Sequence, residues 1–373
     1  MTPEEFRAHF PMLERTVYLS SCSLGARSAE LDGALSAMLT ALSEHGAPWH
    51  DFEEQAQLAR QGFAELIGAD PDQIALVPNA STGAYQVAST VDLRDRPKIV
   101  FSRDEFPSLS HVWLAQRARG ADVVHVDGAD YSPAVDERTA LVSVPLTTYR
   151  DSVRMPVAEM AASAHAVGAR LFVDAYQGLG VQPVRVDELE CDFLVGGAAK
   201  YLLGLPGLAF LYVREPAPGD LPPTLTGWFG RVDPFAFDPL QLDFPDAARR
   251  FETGTPPVPA VYAANAGLGL IGLLDPAAVR AHVRELVRLT VDQLTEQGEK
   301  TRTGDPDRHG AHVALLDPDP GALAGWLADR QVLISPRGDV GRIAFHYYNN
   351  AEDVHRVCAQ IARYRGRQPN EGT

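Results

Sequence analysis

A lysine and an aspartate each follow an apolar, strand-like run. Asp174 closes the run Phe172-Val-Asp174, and Lys200 comes 26 positions later, after a second apolar run and two glycines. The residues just before Lys200 are small, which leaves room for a flat group beside its amine. Pyridoxal 5′-phosphate (PLP) chemistry needs a lysine that forms a Schiff base and a carboxylate that keeps a pyridine nitrogen protonated. By spacing alone, a solvated lysine and a helix-capping aspartate fit equally well.

Short apolar segments rich in branched residues alternate with Ala-rich helical patterns in the middle of the chain. They predict strands over residues 74–77, 98–101, 122–126, 141–144 and 170–173. Residues 155–167 predict a helix, and Gly168 is typical of the position after a helix end. This alternation predicts an α/β fold with a mostly parallel, mixed sheet covered by helices. Ligands of such sheets bind at the carboxyl ends of the strands, where Asp174 is expected.

The chain has 373 residues, which favours a large domain and a smaller one. Asp275 followed by Pro276 is typical of a helix start. The apolar positions after it fit one face of a helix: Val279, Val283, Leu286, Val287, Leu289 and Leu294. We expect an N-terminal arm over residues 1–15, a large domain over 16–274 and a small α+β domain over 275–373. The arm is expected to pack against the small domain.

The formal net charge of −16 argues against nucleic acid or an anionic membrane as a partner, since both need clustered Lys and Arg. Three well-separated cysteines predict neither a disulfide framework nor a metal site. The N-terminus lacks the apolar core of a signal peptide, and no apolar run is long enough to suggest a membrane span. These features predict a cytoplasmic protein.

Several motifs, in one order along the chain, resemble those of a known family. They are DAYQ at residues 174–177, GGAAKYLLGLPG at 196–207, GWFG at 227–230 followed by DPF, GTPP at 254–257 and GRIAFHYYNN at 341–350. Together they resemble the class V aminotransferase (cysteine desulfurase-like) family of PLP enzymes, and within it they are most similar to kynureninases. The similarity covers about residues 15–270 and the one C-terminal motif. It implies the PLP-dependent transferase fold of type I.

The resemblance implies a cofactor site. Lys200 would hold PLP, Asp174 would contact its pyridine nitrogen, and Gln177 would lie near its phenolic oxygen. Phosphate contacts are implied for Ser81 and Thr82, which follow a strand and open a helical segment; without the family, either residue is simply an N-cap. Further implied cofactor contacts are the ring of Phe106, otherwise an ordinary core residue, and Trp228 and Thr255. The loop with Thr255 usually comes from a partner subunit, which implies a homodimer with shared active sites.

The resemblance also implies how an amino-acid substrate would bind. Arg342 would grip the α-carboxylate, with Arg337 as a second candidate; a surface ion pair is the alternative for such an arginine. Tyr176 is expected at the substrate, and Arg231 suggests a second anionic group, or else is a surface arginine.

No cysteine lies in the loop before Arg342, where cysteine desulfurases carry their nucleophile, and Cys358 reads as a buried core thiol. Persulfide-forming desulfuration is therefore disfavoured. A kynureninase-like lyase is the leading hypothesis. An aminotransferase or an epimerase/cyclase of specialised metabolism is the alternative, and a non-catalytic binding module is a third possibility.

Overall fold

Helices and strands alternate through most of the chain. The computed structural model describes residues 1–215 and 221–366, so the last seven residues of the predicted small domain lie outside it. Its α-helices are α1 (Pro3–Arg7), α2 (Ala29–His45), α3 (Trp49–Ile67), α4 (Ala80–Thr90), α5 (Pro107–Ala115), α6 (Val157–Ala166), α7 (Val186–Leu189), α8 (Val258–Gly272), α9 (Pro276–Glu296), α10 (Pro320–Ala328) and α11 (Ala351–Arg365). Its strands are β1 (Val17–Tyr18), β2 (Ile74–Val77), β3 (Lys98–Ser102), β4 (Asp122–Val126), β5 (Thr139–Pro145), β6 (Arg170–Asp174), β7 (Phe193–Gly197), β8 (Ala209–Val213), β9 (His312–Leu316), β10 (Val332–Leu333), β11 (Ser335–Arg337) and β12 (Val340–Ala344).

The central sheet has seven strands in the order β2-β8-β7-β6-β5-β3-β4. The five strands β7, β6, β5, β3 and β4 are parallel to one another, whereas β8 is antiparallel to both β7 and β2. The predicted strands are confirmed, with β5 extending two residues before and one beyond the predicted run. The predicted mixed, mostly parallel α/β sheet is therefore confirmed.

Both faces of this sheet are buried, which explains why its strands read as continuous apolar runs. Leu171 and Val173 of β6 face a core built with helices α3, α6 and α8. Phe172, between them, faces the opposite core, built with α4 and α5. Because β5, β6 and β7 are parallel neighbours, the loops at their carboxyl ends lie at one edge of the sheet.

The C-terminal part of the chain builds a second layer of helices on a smaller sheet. Strands β11, β12 and β9 are antiparallel in that order. Asp275 caps α9 by accepting the N–H of Ala277 at 2.9 Å, and Pro276 occupies the first helical turn, as the sequence predicts.

The N-terminal segment packs against this C-terminal part. Phe6 and Phe10 are buried in its core, and Arg7 pairs with Asp353 at 2.9 Å. Strand β1 continues the contact by pairing with β10, so it extends beyond residue 15. The domain boundaries at residues 15 and 274 stay a prediction.

No single helix among the described residues is long and apolar enough to cross a membrane. The pair α8 and α9, bent by 87°, meets that criterion only when taken together, by length and composition.

Candidate active site

Asp174 and Lys200 lie at the same edge of the central sheet. β6 and β7 are adjacent parallel strands, and Asp174 pairs with Val195, after which the chain needs only five residues to reach Lys200. The Asp174 carboxylate accepts the N–H of Tyr176 at 2.9 Å. Burial raises the pKa of the Asp174 carboxyl, while this hydrogen bond and the Lys200 charge oppose the rise.

Burial also changes the pKa of the Lys200 amine. It lowers the pKa of Lys200 to about 8, although the carboxylate of Asp174 opposes the change. A neutral amine is therefore accessible near physiological pH, and only the neutral form is a nucleophile or a base.

Aromatic rings surround this amine. The Nζ atom of Lys200 lies 4.4 Å from the ring centroid of Tyr176 and 5.6 Å from that of Phe106. Phe106 in turn meets the ring of Tyr149 edge to face at 5.1 Å. Gly197 makes the position of Tyr176 possible, because a Cβ atom at residue 197 would overlap the Tyr176 phenol. The small residues before Lys200 therefore admit a protein ring as well as leaving space for a ligand.

These side chains line one cavity of about 210 Å³, whose walls are mostly apolar. Its described lining is Asn79, Ala80, Ser81, Phe106, Ser108, Leu109, Pro145, Thr147, Tyr149, Asp174, Tyr176, Gln177 and Lys200. Predicted residues Lys200, Asp174, Gln177, Tyr176, Phe106 and Ser81 are thus brought together around a single space.

One end of the cavity is the start of helix α4. Asn79 is the N-cap and accepts both the N–H of Thr82 at 2.9 Å and its hydroxyl at 3.1 Å. The capping role considered for Ser81 or Thr82 therefore belongs to Asn79. Ala80 and Ser81 face the cavity, where the helix N-terminus favours an anion such as a phosphate.

Gln177 supplies a buried polar atom to the same cavity. Its Nε2 donates to the carbonyl of Cys22 at 3.1 Å, whereas its Oε1 is buried without a hydrogen-bond partner in the described chain. Such an orphaned acceptor is unfavourable unless a ligand group satisfies it. The cavity as a whole has the groups that PLP requires. They are an amine, a carboxylate, flanking aromatic rings, a helix N-terminus and an amide oxygen without a hydrogen-bond partner. Lys200, Asp174, Gln177 and Ser81 would hold PLP, with Phe106 against its ring.

Arg342 lies in strand β12, close enough to the amine for its charge to lower the pKa of Lys200 further. The residue is only 2% exposed, and its Nη1 donates to the carbonyl of Tyr149 at 2.8 Å. Within residues 1–215 and 221–366 it pairs with no carboxylate. Arg337 also acts on Lys200, but it is exposed and donates to the carbonyl of Pro336.

Six predicted residues are not among the described lining of this cavity: Thr82, Arg231, Trp228, Thr255, Arg337 and Arg342. Thr82 directs its hydroxyl to Asn79. Arg231 forms a two-point ion pair with Asp243, at 3.3 Å and 3.0 Å, so its charge is already neutralised. Trp228 belongs to an aromatic group with Trp49, Phe235 and Phe237, and Thr255 lies on an exposed loop. Cys358 is a buried core thiol, as expected.

Sequence reasoning missed Glu105, Thr147 and Tyr149. Glu105 immediately precedes Phe106 in the chain, yet nothing in the local sequence signals that its carboxyl is buried. Thr147 and Tyr149 line the cavity from the loop after β5. A loop after a parallel strand is the usual place for ligand contacts, and that position was the one signal available.

Fold and cavity define a PLP-dependent enzyme of fold type I. A solved structure of a C-DES variant, with glycine covalently linked to its PLP cofactor, aligns with a TM-score of 0.88 and 21% identity, covering 95% of this chain and 98% of that one. At this identity the likeness shows the fold.

Sequence comparison shows the family. The model described as "Aminotransferase class-V" matches residues 38–357. An "uncharacterized aminotransferase YcbU" of Bacillus subtilis (strain 168) is 35% identical over 365 residues, covering 96% of this chain and 97% of that protein. A kynureninase of Pseudomonas fluorescens is 26% identical over 351 residues, covering 88% and 83%. The chain belongs to the class V aminotransferase family, which confirms the resemblance in its motifs, and its cofactor is PLP.

Proposed function

We propose that this enzyme binds an α-amino acid through Arg342, removes its Cα proton with Lys200 and expels a group from its side chain, as a kynureninase-like lyase. The observation that carries the proposal is the buried guanidinium of Arg342, which has no carboxylate partner among the described residues. Burying an unneutralised charge is costly, so such a group is retained where a ligand completes it. A planar guanidinium matches an α-carboxylate through two parallel hydrogen bonds.

Each residue of the site has its own role in this reaction. Lys200, with its lowered pKa, can accept the Cα proton and return it. Asp174 would keep the pyridine nitrogen of the cofactor protonated, and its own burial keeps water from screening that charge. The bound cofactor supplies a sink for the electron pair that the departing proton leaves at Cα. The apolar walls with Phe106 and Tyr149 exclude water from the amine.

The leading choice of a lyase is supported by the kynureninase relative and by the lack of a thiol nucleophile. In the described chain all three cysteines are buried, and none lies in the segment before Arg342. An aminotransferase is the second candidate, favoured by the relative from Bacillus subtilis, and an epimerase or cyclase would use the same proton removal. The non-catalytic alternative would leave Lys200 and Arg342 without a role.

A panel of L-amino acids incubated with the PLP-loaded enzyme in D₂O tests this proposal. We expect at least one of them to exchange its Cα hydrogen, followed by mass spectrometry, and to release pyruvate, alanine or ammonia without an added acceptor. Dependence on a keto-acid acceptor would identify an aminotransferase, and racemisation without fragments an epimerase. Absence of Cα exchange with every amino acid, while PLP is bound, would leave the binding-module hypothesis standing.

We also propose that the enzyme is a homodimer with shared active sites. The loop between β8 and α8 exposes Phe237 at 70% and Leu240 at 95%, next to the aromatic group of Trp228. Exposed apolar side chains in such density are typical of a surface that another chain covers. Thr255, on the exposed loop before α8, would then face the partner's cofactor.

Light scattering of the PLP-loaded protein is expected to give about twice the chain mass. Phe237→Asp, which places a charge in this surface, is expected to shift the mass toward the monomer and to weaken cofactor retention. A monomeric wild type that retains PLP and activity would contradict the shared site.

A further inference from the structure

A second carboxyl lies buried behind the cavity. Glu105 is 2% exposed, and it follows β3 by three residues. Its Oε1 accepts the N–H of Phe106 at 3.1 Å, and its Oε2 contacts the hydroxyl of Ser143 at 2.9 Å. Among the described residues it forms no ion pair with a lysine, arginine or histidine. Glu105 is therefore a buried acid held by neutral hydrogen bonds alone.

This carboxyl is close to Asp174 because of the register of the sheet. In β5, Ser143 pairs with Phe172 and Pro145 pairs with Asp174 of β6. Ser143 and Pro145 are two residues apart on one strand, so their side chains point to the same face. The hydrogen bond to Ser143 thus fixes Glu105 one pleat behind the aspartate, whose own partner Pro145 lines the cavity.

We propose that Glu105 is a positioning residue that works as a neutral acid: it holds the backbone of Phe106 in place and leaves Asp174 as the single negative charge available to the pyridine nitrogen. A neutral carboxyl keeps both hydrogen bonds, because its Oε1 still accepts from Phe106 and its Oε2 can either accept from Ser143 or donate to it. An ionised Glu105 would place a second carboxylate near Asp174 in an apolar setting. The proposal depends on the cofactor and not on which reaction follows.

The electrostatics agree with this geometry. Burial raises the pKa of Glu105 from 4.5 to about 8, the charge of Asp174 adds to the rise, and the hydrogen bonds of Ser143 and Phe106 oppose it. The titratable groups that face it are Asp174 from β6 and Tyr131 from the loop before β5. The Glu105 charge is one of the causes that raise the pKa of Tyr131, after burial, and Asp104 is a smaller one.

A protonated Glu105 makes the stability of the folded protein depend on pH. Between about pH 4.5 and 8 the folded state keeps a proton on Glu105 that the unfolded chain has lost, so folding stability falls as pH rises through this window. Glu105→Gln, which has the same shape and no charge, removes that dependence. Asp104→Asn is the matched control, since it removes the carboxylate next in the chain, which is only partly buried.

The experiment compares these two variants with the wild type. Thermal unfolding of the PLP-free proteins is recorded from pH 5 to 9, and PLP affinity is titrated at pH 7. We expect the melting temperature of Glu105→Gln to exceed that of the wild type increasingly up to about pH 8, whereas Asp104→Asn shows no such trend. We expect the PLP affinity of Glu105→Gln to stay within about threefold of the wild type.

Parallel stability curves for Glu105→Gln and the wild type would show that Glu105 is not a neutral acid in the folded protein, and would overturn the proposal. So would failure of Glu105→Gln to fold, or a loss of PLP affinity of about tenfold or more, because an amide of the same shape should replace a carboxyl that is already neutral. Neither readout requires turnover, so the result is independent of the lyase assignment.

Discussion

Lys200→Ala is expected to abolish covalent attachment of PLP and to lower turnover by about 10²- to 10⁴-fold or more, because both the Schiff base and the proton transfer at Cα depend on this amine. The measurement is borohydride reduction followed by peptide mapping. The chain has only two other lysines, Lys98 and Lys300. Lys98 is paired with Asp136 at 2.5 Å, and Lys300 is exposed. The adduct should therefore map to the peptide with Lys200 alone.

Lys300→Ala is the matched control and should keep the adduct and the wild-type rate. If Lys200→Ala still gives a reduced adduct on another lysine together with wild-type turnover, the assignment of Lys200 is wrong. Weak noncovalent PLP binding by Lys200→Ala is compatible with the prediction, since Asp174, Gln177 and the start of α4 remain in place.

The second large effect is expected at Arg342. In the proposed function, Arg342→Ala would remove two charge-assisted hydrogen bonds to the substrate carboxylate, which together would contribute about 3 kcal/mol, or about 10²-fold in kcat/KM. The loss should appear mainly in KM, because the arginine holds the substrate and does not touch the bond that breaks. PLP absorbance should be unchanged. Arg337→Ala, which removes an exposed arginine near the same amine, should have a smaller effect.

An amine analogue without the α-carboxylate separates this role from a structural one. The wild type should discriminate strongly against the analogue, and Arg342→Ala should lose most of that discrimination. Equal discrimination in both proteins would show that another group binds the carboxylate.

Much of the fold could be predicted from the sequence. The strands were predictable since parallel strands with two buried faces read as uninterrupted apolar runs, and the start of α9 was predictable because Asp275 and Pro276 act within one turn. The proximity of Asp174 and Lys200 could be predicted from the strand topology. Residues after adjacent parallel strands share an edge, whatever the details of packing.

Other features were decided by contacts between residues far apart in the chain. Arg231 is neutralised by Asp243, whereas Arg342 is buried with no carboxylate partner among the residues that the structure describes, yet nothing in the sequence distinguishes these two arginines. Glu105 approaches Asp174 only through the register of β5 and β6.

The sequence by itself determined the order of elements, the family and the lysine–aspartate pair, because these depend on local pattern and on chain order. Only the tertiary structure decided which charges are paired, which are buried and which carboxyl keeps its proton. Those properties depend on desolvation and on distances between side chains that no local pattern records.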